Sequence, residues 1–302
     1  MANEFKILIG YDGSGYADAA IDDLRNAGLP ESATALVISV AEVWLPPHKE
    51  GEKLEFITDE LEERYEHGLE IVAEARSRAE QAAARVRNMF PGWSVSAEAT
   101  YGSPAWEILF RGESFNPDLI VVGAQGVFGL EQLLIGSVAQ KIVTEAPCSV
   151  RVARGKVEVD ETPARIVVGY DGTAGAGRAV DEIVARCWPK GSEVRVVLVQ
   201  DDAIIRNSFN IEDEDVERTG HAVAQKIREA GVDASLVIRD GNPKHAIVEE
   251  AEHWGADAIF LGATKFDDPL TKYLLGSVAS AIVTRAHCSV EIVRANRSEN
   301  SN

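Results

Sequence analysis

The sequence predicts an α/β protein of two successive domains, each a parallel sheet with helices on its crossovers, and three observations carry that prediction. A string near the start, Lys6-Ile-Leu-Ile-Gly-Tyr-Asp-Gly-Ser14, returns 159 residues later as Arg165-Ile-Val-Val-Gly-Tyr-Asp-Gly-Thr173. The strand candidates are unbroken Ile, Val and Leu runs rather than alternating ones, as expected of strands covered on both faces. Finally, the glycine-rich stretch Gly123 to Ser137 follows one such run and leads into an apolar helix pattern over 138–146.

The chain has 302 residues, 45% hydrophobic and 26% charged, which gives room for two domains with their own cores. Its formal net charge of −19 argues against sequence-independent binding to nucleic acid, which needs a basic face to displace counterions. A solvated acidic surface is the plainer reading of that charge. Cys148, Cys187 and Cys288 show no metal-ligand spacing and no disulfide framework. Residues 4–10 enter a strand pattern directly, with no secretion signal before them, and no uncharged apolar run approaches the roughly 20 residues that cross a bilayer. A cytoplasmic protein with no membrane association is the expectation.

In order, the first strand ends at Gly10, and Ser14 can cap a helix that places Ala17, Ala20, Ile21 and Leu24 on one face; Thr173 stands before Ala176, Ala179, Val180 and Ile183 in the same way. Second strands follow at 35–40 and 195–199, where Val40 and Val199 keep the offset of 159. The turns Tyr101-Gly-Ser-Pro104 and Asp240-Gly-Asn-Pro243 match at an offset of only 139, so the first half holds 20 extra residues within 41–101. That segment carries a long helical pattern, with Leu61, Tyr65, Leu69, Val72, Ala75, Ala79, Ala82, Val86 and Met89 at three- and four-residue steps. Third strands at 93–100 and 234–239 precede the turns, and each turn's proline suits the first turn of a helix. Fourth strands at 119–122 and 258–261 run into Gly123 and Gly262, and last strands follow at 149–153 and 289–293 at an offset of 140. The second copy therefore has one inserted residue between Gly262 and Gly276. A repeat this long is a duplicated domain, with the polar stretch 154–163 as the join; solenoid repeats have periods of roughly 20 to 50 residues.

Ligands of an open parallel sheet sit beyond the carboxyl ends of its strands, where strand order reverses. If the first and fourth strands are neighbours, Asp12, Val40 and the Gly123–Ser137 loop line one crevice. Glycines there permit positive φ or close approach of a ligand, and the unpaired amides of a helix N-terminus favour an anion. A small anionic ligand with a planar base fits that arrangement. No Gly-x4-Gly-Lys-Ser/Thr string occurs, which excludes a P-loop of that design. Nothing supplies a nucleophile with a base and an orienting group, so no catalytic residue is assigned.

Both halves resemble the universal stress protein domain, over about residues 4–294. The nucleotide-binding members of that family have two glycines separated by two residues, then nine residues, then glycine and serine or threonine. Gly123, Gly126, Gly136 and Ser137 match without a gap. Asp12 and Val40 match the family's adenine-side positions, and Val138 extends the phosphate side. The resemblance implies two five-stranded parallel sheets of order 3-2-1-4-5, the adenine nucleotide alpha hydrolase-like arrangement, over residues 1–154 and 164–295. It implies ATP in the first domain, with Mg or Mn held mainly by the phosphates and no metal site made by the chain. It also implies that Ser149–Ala153 pairs with Ser289–Val293 about an internal pseudo-two-fold, with a further homodimer open and a protein partner unknown.

The second copy departs from the motif: Lys265 stands where Gly126 stands, ten residues rather than nine separate it from Gly276, and Asp267-Asp268-Pro269 adds negative charge. The expectation is a degenerate second site and a nucleotide-responsive stress regulator. Slow metal-dependent ATP hydrolysis at the first site, or a scaffold whose second domain takes a different ligand, are the alternatives. Glu249 or Glu250 with His253 has helical spacing that reads as a surface ion pair rather than a metal or acid-base pair. His245 and His287 read as structural or exposed. Trp44 lies either over an adenine or against the Pro46-Pro47 loop.

Overall fold

The computed structural model describes residues 4–46, 58–125, 135–154, 163–200, 213–263 and 275–295. The first half runs β1 (Lys6–Gly10), α1 (Gly15–Asp23), a 3-10 turn (Leu24–Asn26), β2 (Thr34–Ala41), α2 (Asp59–Met89), β3 (Ser94–Tyr101), α3 (Pro104–Phe115), β4 (Leu119–Gly123), α4 (Ser137–Glu145) and β5 (Ser149–Ala153). The second half repeats it as β6 (Arg165–Gly169), α5 (Ala174–Ala185), β7 (Glu193–Gln200), α6 (Asp213–Glu229), β8 (Asp233–Asp240), α7 (Pro243–Trp254), β9 (Ala258–Gly262), α8 (Ser277–Arg285) and β10 (Ser289–Val293).

The helix starts follow short-range rules. Ser14 Oγ accepts from Ala17 N–H at 3.1 Å and Thr173 Oγ1 from Ala176 N–H at 3.2 Å, the caps the sequence predicts. Pro104 and Pro243 each open a helix, where the missing N–H costs nothing. Among the described residues, α2 has 31 residues against 17 in α6. At ~1.5 Å per residue α2 is about 46 Å long, far more than an eight-residue strand spans. Thr58 caps it, and its buried contacts concentrate at Ala75, Ala79, Ala82, Ala83 and Val86, where small side chains let it lie close on the sheet.

Strand order within each half is 3-2-1-4-5, and the halves join into a single ten-stranded sheet through β5 and β10. All the neighbours pair parallel except that seam, which is antiparallel with Val150, Arg151 and Val152 opposite Ile292, Glu291 and Val290. The pairing removes an exposed sheet edge from each half. On one face, α3, α4, α7 and α8 bury a core that runs unbroken across the seam, through Ile142, Val143, Ile282 and Val283. On the other, α1 and α2 cover one cluster and α5 and α6 another.

Charge is buried at the centre of the seam. Arg151, fully buried, donates to Asp23 of α1 at 2.5 and 3.1 Å and to Glu291 across the seam at 3.1 Å. Arg186, just past α5, pairs with Glu291 in turn, with Glu182 at 3.0 Å, and donates to the carbonyl of Ala27 at 2.6 Å. Burial alone would lower the Arg151 pKa, but the carboxylates of Asp23 and Glu291 outweigh it and hold the guanidinium charged.

Candidate functional site

The carboxyl ends of β1, β2 and β4 meet at the point where strand order reverses, and the sequence-predicted residues in the described part of the chain gather there. Tyr11 N–H donates to the carbonyl of Ile38 at 2.9 Å, which keeps the chain leaving β1 alongside the end of β2, where Val40 lies half-buried. Asp12, exposed, takes the Ser14 N–H on Oδ1 at 2.9 Å, forming the turn that starts α1; Asp171 does the same for Thr173 at 3.0 Å. Gly13 is the left-handed residue of that turn, with φ of 81°. Arg78 of α2 lies along it, its Cδ 2.8 Å from where a Gly13 Cβ would stand. Sequence reading missed Arg78, since no local pattern links that position on a helix to a turn so far away.

Across the crevice, Gly136 N–H donates to the carbonyl of Ala124 at 2.7 Å, so the loop after β4 returns to its own start before α4 begins. Gly136 is the N-cap of α4, with φ of −70° and ψ of 154°, and offers no side-chain acceptor to the first amides of the helix. α1, α2, α5 and α7 by contrast carry side-chain caps from Ser14, Thr58, Thr173 and Asn242. Ser137 is exposed at the mouth, while Val138 and Ile135 rest against the same core as Val40. The result is a nine-residue helix whose cap contributes no side-chain acceptor to its first amides, with Val40, Ile135 and Val138 partly buried against one core.

Positive φ is not the reason for glycine at two of these positions. Neither Gly123 nor Gly136 has positive φ. A Cβ on Gly123 would stand 2.7 Å from the carbonyl carbon and oxygen of Tyr16, so this glycine is required by the close packing of α1 on the end of β4. Gly126 lies outside the described residues, as do Lys265, Asp267, Asp268 and Pro269 of the second copy.

The second crevice repeats the frame with a tighter back wall. Gly276 caps α8 as Gly136 caps α4, again with no side-chain acceptor. Gly175 replaces Tyr16, and a Cβ on Gly262 would stand 1.9 Å from the Gly175 carbonyl carbon, so α5 sits closer to its strand end than α1 does. Arg178 of α5 donates to the carbonyl of Ala263, the residue after β9, at 3.2 Å.

The predicted Glu–His pair does not form. His253 Nδ1 lies 2.8 Å from the backbone carbonyl oxygen of Glu249, and Glu250 is buried against Arg195, at 2.5 Å, and Arg239. Burial alone would raise the Glu250 pKa, but the hydrogen bonds from the two arginines win and lower it. His245 and His287 are exposed as expected, near Arg285 and Glu252. Trp44 is 82% exposed, Pro47 lies outside the described residues, and the neighbouring Leu45 is buried against Gly68. Among the described residues no helix is long and apolar enough to cross a membrane, and no three His, Cys, Asp or Glu side chains form a metal-binding group.

Comparison with known proteins agrees with this architecture. The family model described as "Universal stress protein family" matches residues 5–154 and again 163–294. A universal stress protein of Mycobacterium tuberculosis is 25% identical over 301 residues, covering 95% of this chain and 96% of its own. One from Thermus aquaticus is 32% identical over 148 residues, 49% of this chain and 97% of its own. The crystal structure of a universal stress protein from Archaeoglobus fulgidus superimposes with a TM-score of 0.63 at 21% identity, covering 96% of this chain and 98% of that one, and so shares the fold. The chain belongs to the universal stress protein family, with two of its domains in tandem.

Proposed function

We propose that the first half binds ATP and that occupancy of its crevice is a signal in a cytoplasmic stress response. The observation that carries the reading is the N-terminus of α4: a glycine cap without a side-chain acceptor, an exposed Ser137, and a location at the strand-order reversal. The ungapped spacing of Gly123, Gly126, Gly136 and Ser137 adds to it, in a chain of the universal stress protein family. Asp12 and Val40 line the side where a base and ribose fit, and the amides of Ser137, Val138 and Ala139 the side where phosphates fit. Mg or Mn, when bound, neutralises phosphate charge and is held mainly by the phosphates.

The second half is proposed not to bind ATP tightly. The closer approach of α5 to β9 and the Arg178 contact with Ala263 support that reading, and so does the departure of residues 265–269 from the motif. An anion of another kind, or no ligand, is its occupant.

The test is calorimetry and native mass spectrometry on the full chain with ATP and Mg, beside Gly136→Asp. The φ of Gly136 suits aspartate, whose carboxylate would satisfy the helix amides and repel a phosphate. Submillimolar binding of one ATP, weakened at least tenfold by the substitution, is expected. Absence of adenine-nucleotide binding at millimolar concentration refutes the reading.

A further inference from the structure

The two halves hold each other's crevice helices. Arg294, the first residue past β10, crosses the seam and donates to the carbonyl of Val143 in the last turn of α4, and to that of Cys148 at 3.4 Å. Arg154, the first residue past β5, makes the reciprocal crossing, donating to the carbonyls of Val283 at 2.9 Å and Thr284 at 3.3 Å at the end of α8. The backbone amides of the same arginines donate to serines of the opposite half, Arg154 to Ser289 Oγ and Arg294 to Ser149 Oγ, both at 3.1 Å. Burial pushes the Arg294 pKa down to about 10, so the guanidinium is still charged at neutral pH. A cation at a helix C-terminus complements the macrodipole and satisfies carbonyls that the helix leaves unpaired.

The arrangement is not equal on the two sides. α4 has no basic residue in its last turn, whereas α8 has its own Arg285. The cation that caps α4 therefore comes from the other half. α4 has only nine residues, about 14 Å, and its opposite end is the glycine-capped N-terminus at the first crevice. Fixing its C-terminus fixes where those amides point.

We infer that Arg294 is a positioning residue for the first crevice, supplied by the second half, and that anion binding at α4 and closure of the seam are therefore linked. The inference rests on the nucleotide reading above. Because linkage is reciprocal, a ligand that prefers α4 in its clamped position also tightens the seam that clamps it. This assigns the second domain a part in the first domain's binding whatever its own crevice holds.

The test uses the full chain and compares Arg294→Gln, Arg294→Lys and Arg154→Gln by calorimetry with ATP·Mg and with adenosine. Amide exchange across residues 137–146 is measured in parallel without ligand. For Arg294→Gln, ATP affinity is expected to fall about three- to tenfold, with adenosine affinity changed less than twofold. Exchange in α4 should quicken, Arg294→Lys should recover part of the loss, and Arg154→Gln should leave ATP affinity within twofold. An equal loss for ATP and adenosine means general loosening and overturns the inference; so does unchanged ATP affinity in Arg294→Gln, or an equal effect of Arg154→Gln. If Arg294→Gln does not fold, Arg294→Lys is judged on the same comparison, since lysine keeps the charge but not the fork. A wild type that binds no adenine nucleotide overturns the functional reading and this inference together, whereas ATP binding that ignores Arg294 overturns only the inference.

Discussion

Arg151→Met tests whether the buried charges hold the seam. The arginine has no exposed surface and lies on the α1 side of the sheet with Asp23 and Glu291, opposite the face to which Val150, Val152, Val290 and Ile292 point; methionine keeps much of its length and removes the charge. Asp23 loses contacts at 2.5 and 3.1 Å and keeps the Ser289 hydroxyl at 2.8 Å; Glu291 loses one at 3.1 Å and keeps Arg186. Breaking a buried ion pair from one side costs ~3–5 kcal/mol, because a carboxylate stays behind in a poorly solvated place. The contacts that survive put the expected loss near the lower end, about 3 kcal/mol, measured by urea unfolding of the full chain. Glu291→Met and the double variant complete a cycle, and a coupling of at least ~1 kcal/mol between the two sites is expected from their direct contact. If Arg151→Met costs less than about 1 kcal/mol, or the cycle shows no coupling, the reasoning is wrong and apolar pairing of β5 with β10 alone carries the seam.

Two further outcomes are expected. Gly123→Ala should destabilise the ligand-free protein by ~1–3 kcal/mol, because its Cβ meets the Tyr16 backbone at 2.7 Å and α1 must move; a neutral result in urea unfolding would show that α1 yields easily. A thiol reagent at neutral pH should label the exposed Cys187 first and leave the buried Cys148 and the half-buried Cys288, the latter with its pKa pushed up to about 12 by desolvation; all three should react in denaturant, and rapid native labelling of a second thiol would contradict this packing.

What the sequence determined by itself is what short-range physics controls. Strand runs buried on both faces, hydroxyl caps three residues ahead of the amides they serve, prolines opening α3 and α7, and the duplicated order of elements all depend on near neighbours. They were readable without a structure. Strand order and the β5–β10 pairing came through resemblance to the family rather than from any single residue, and the structure has both.

The tertiary structure decided what depends on distant partners. That Gly123 must be glycine to let Tyr16 pack on it shows only in the fold, and Glu250 reads as a partner for His253 until two arginines from neighbouring strands claim it. Arg151 and Glu291 look like interruptions of apolar strands, although they face each other, with Asp23 and Arg186 closing the network. Arg154 and Arg294 look like the polar ends of strands, yet each caps a helix of the opposite half. A buried charge is tolerated only where a partner meets it, and that partner can come from anywhere in the chain; the residue type announces the need, and only the folded chain names what answers it.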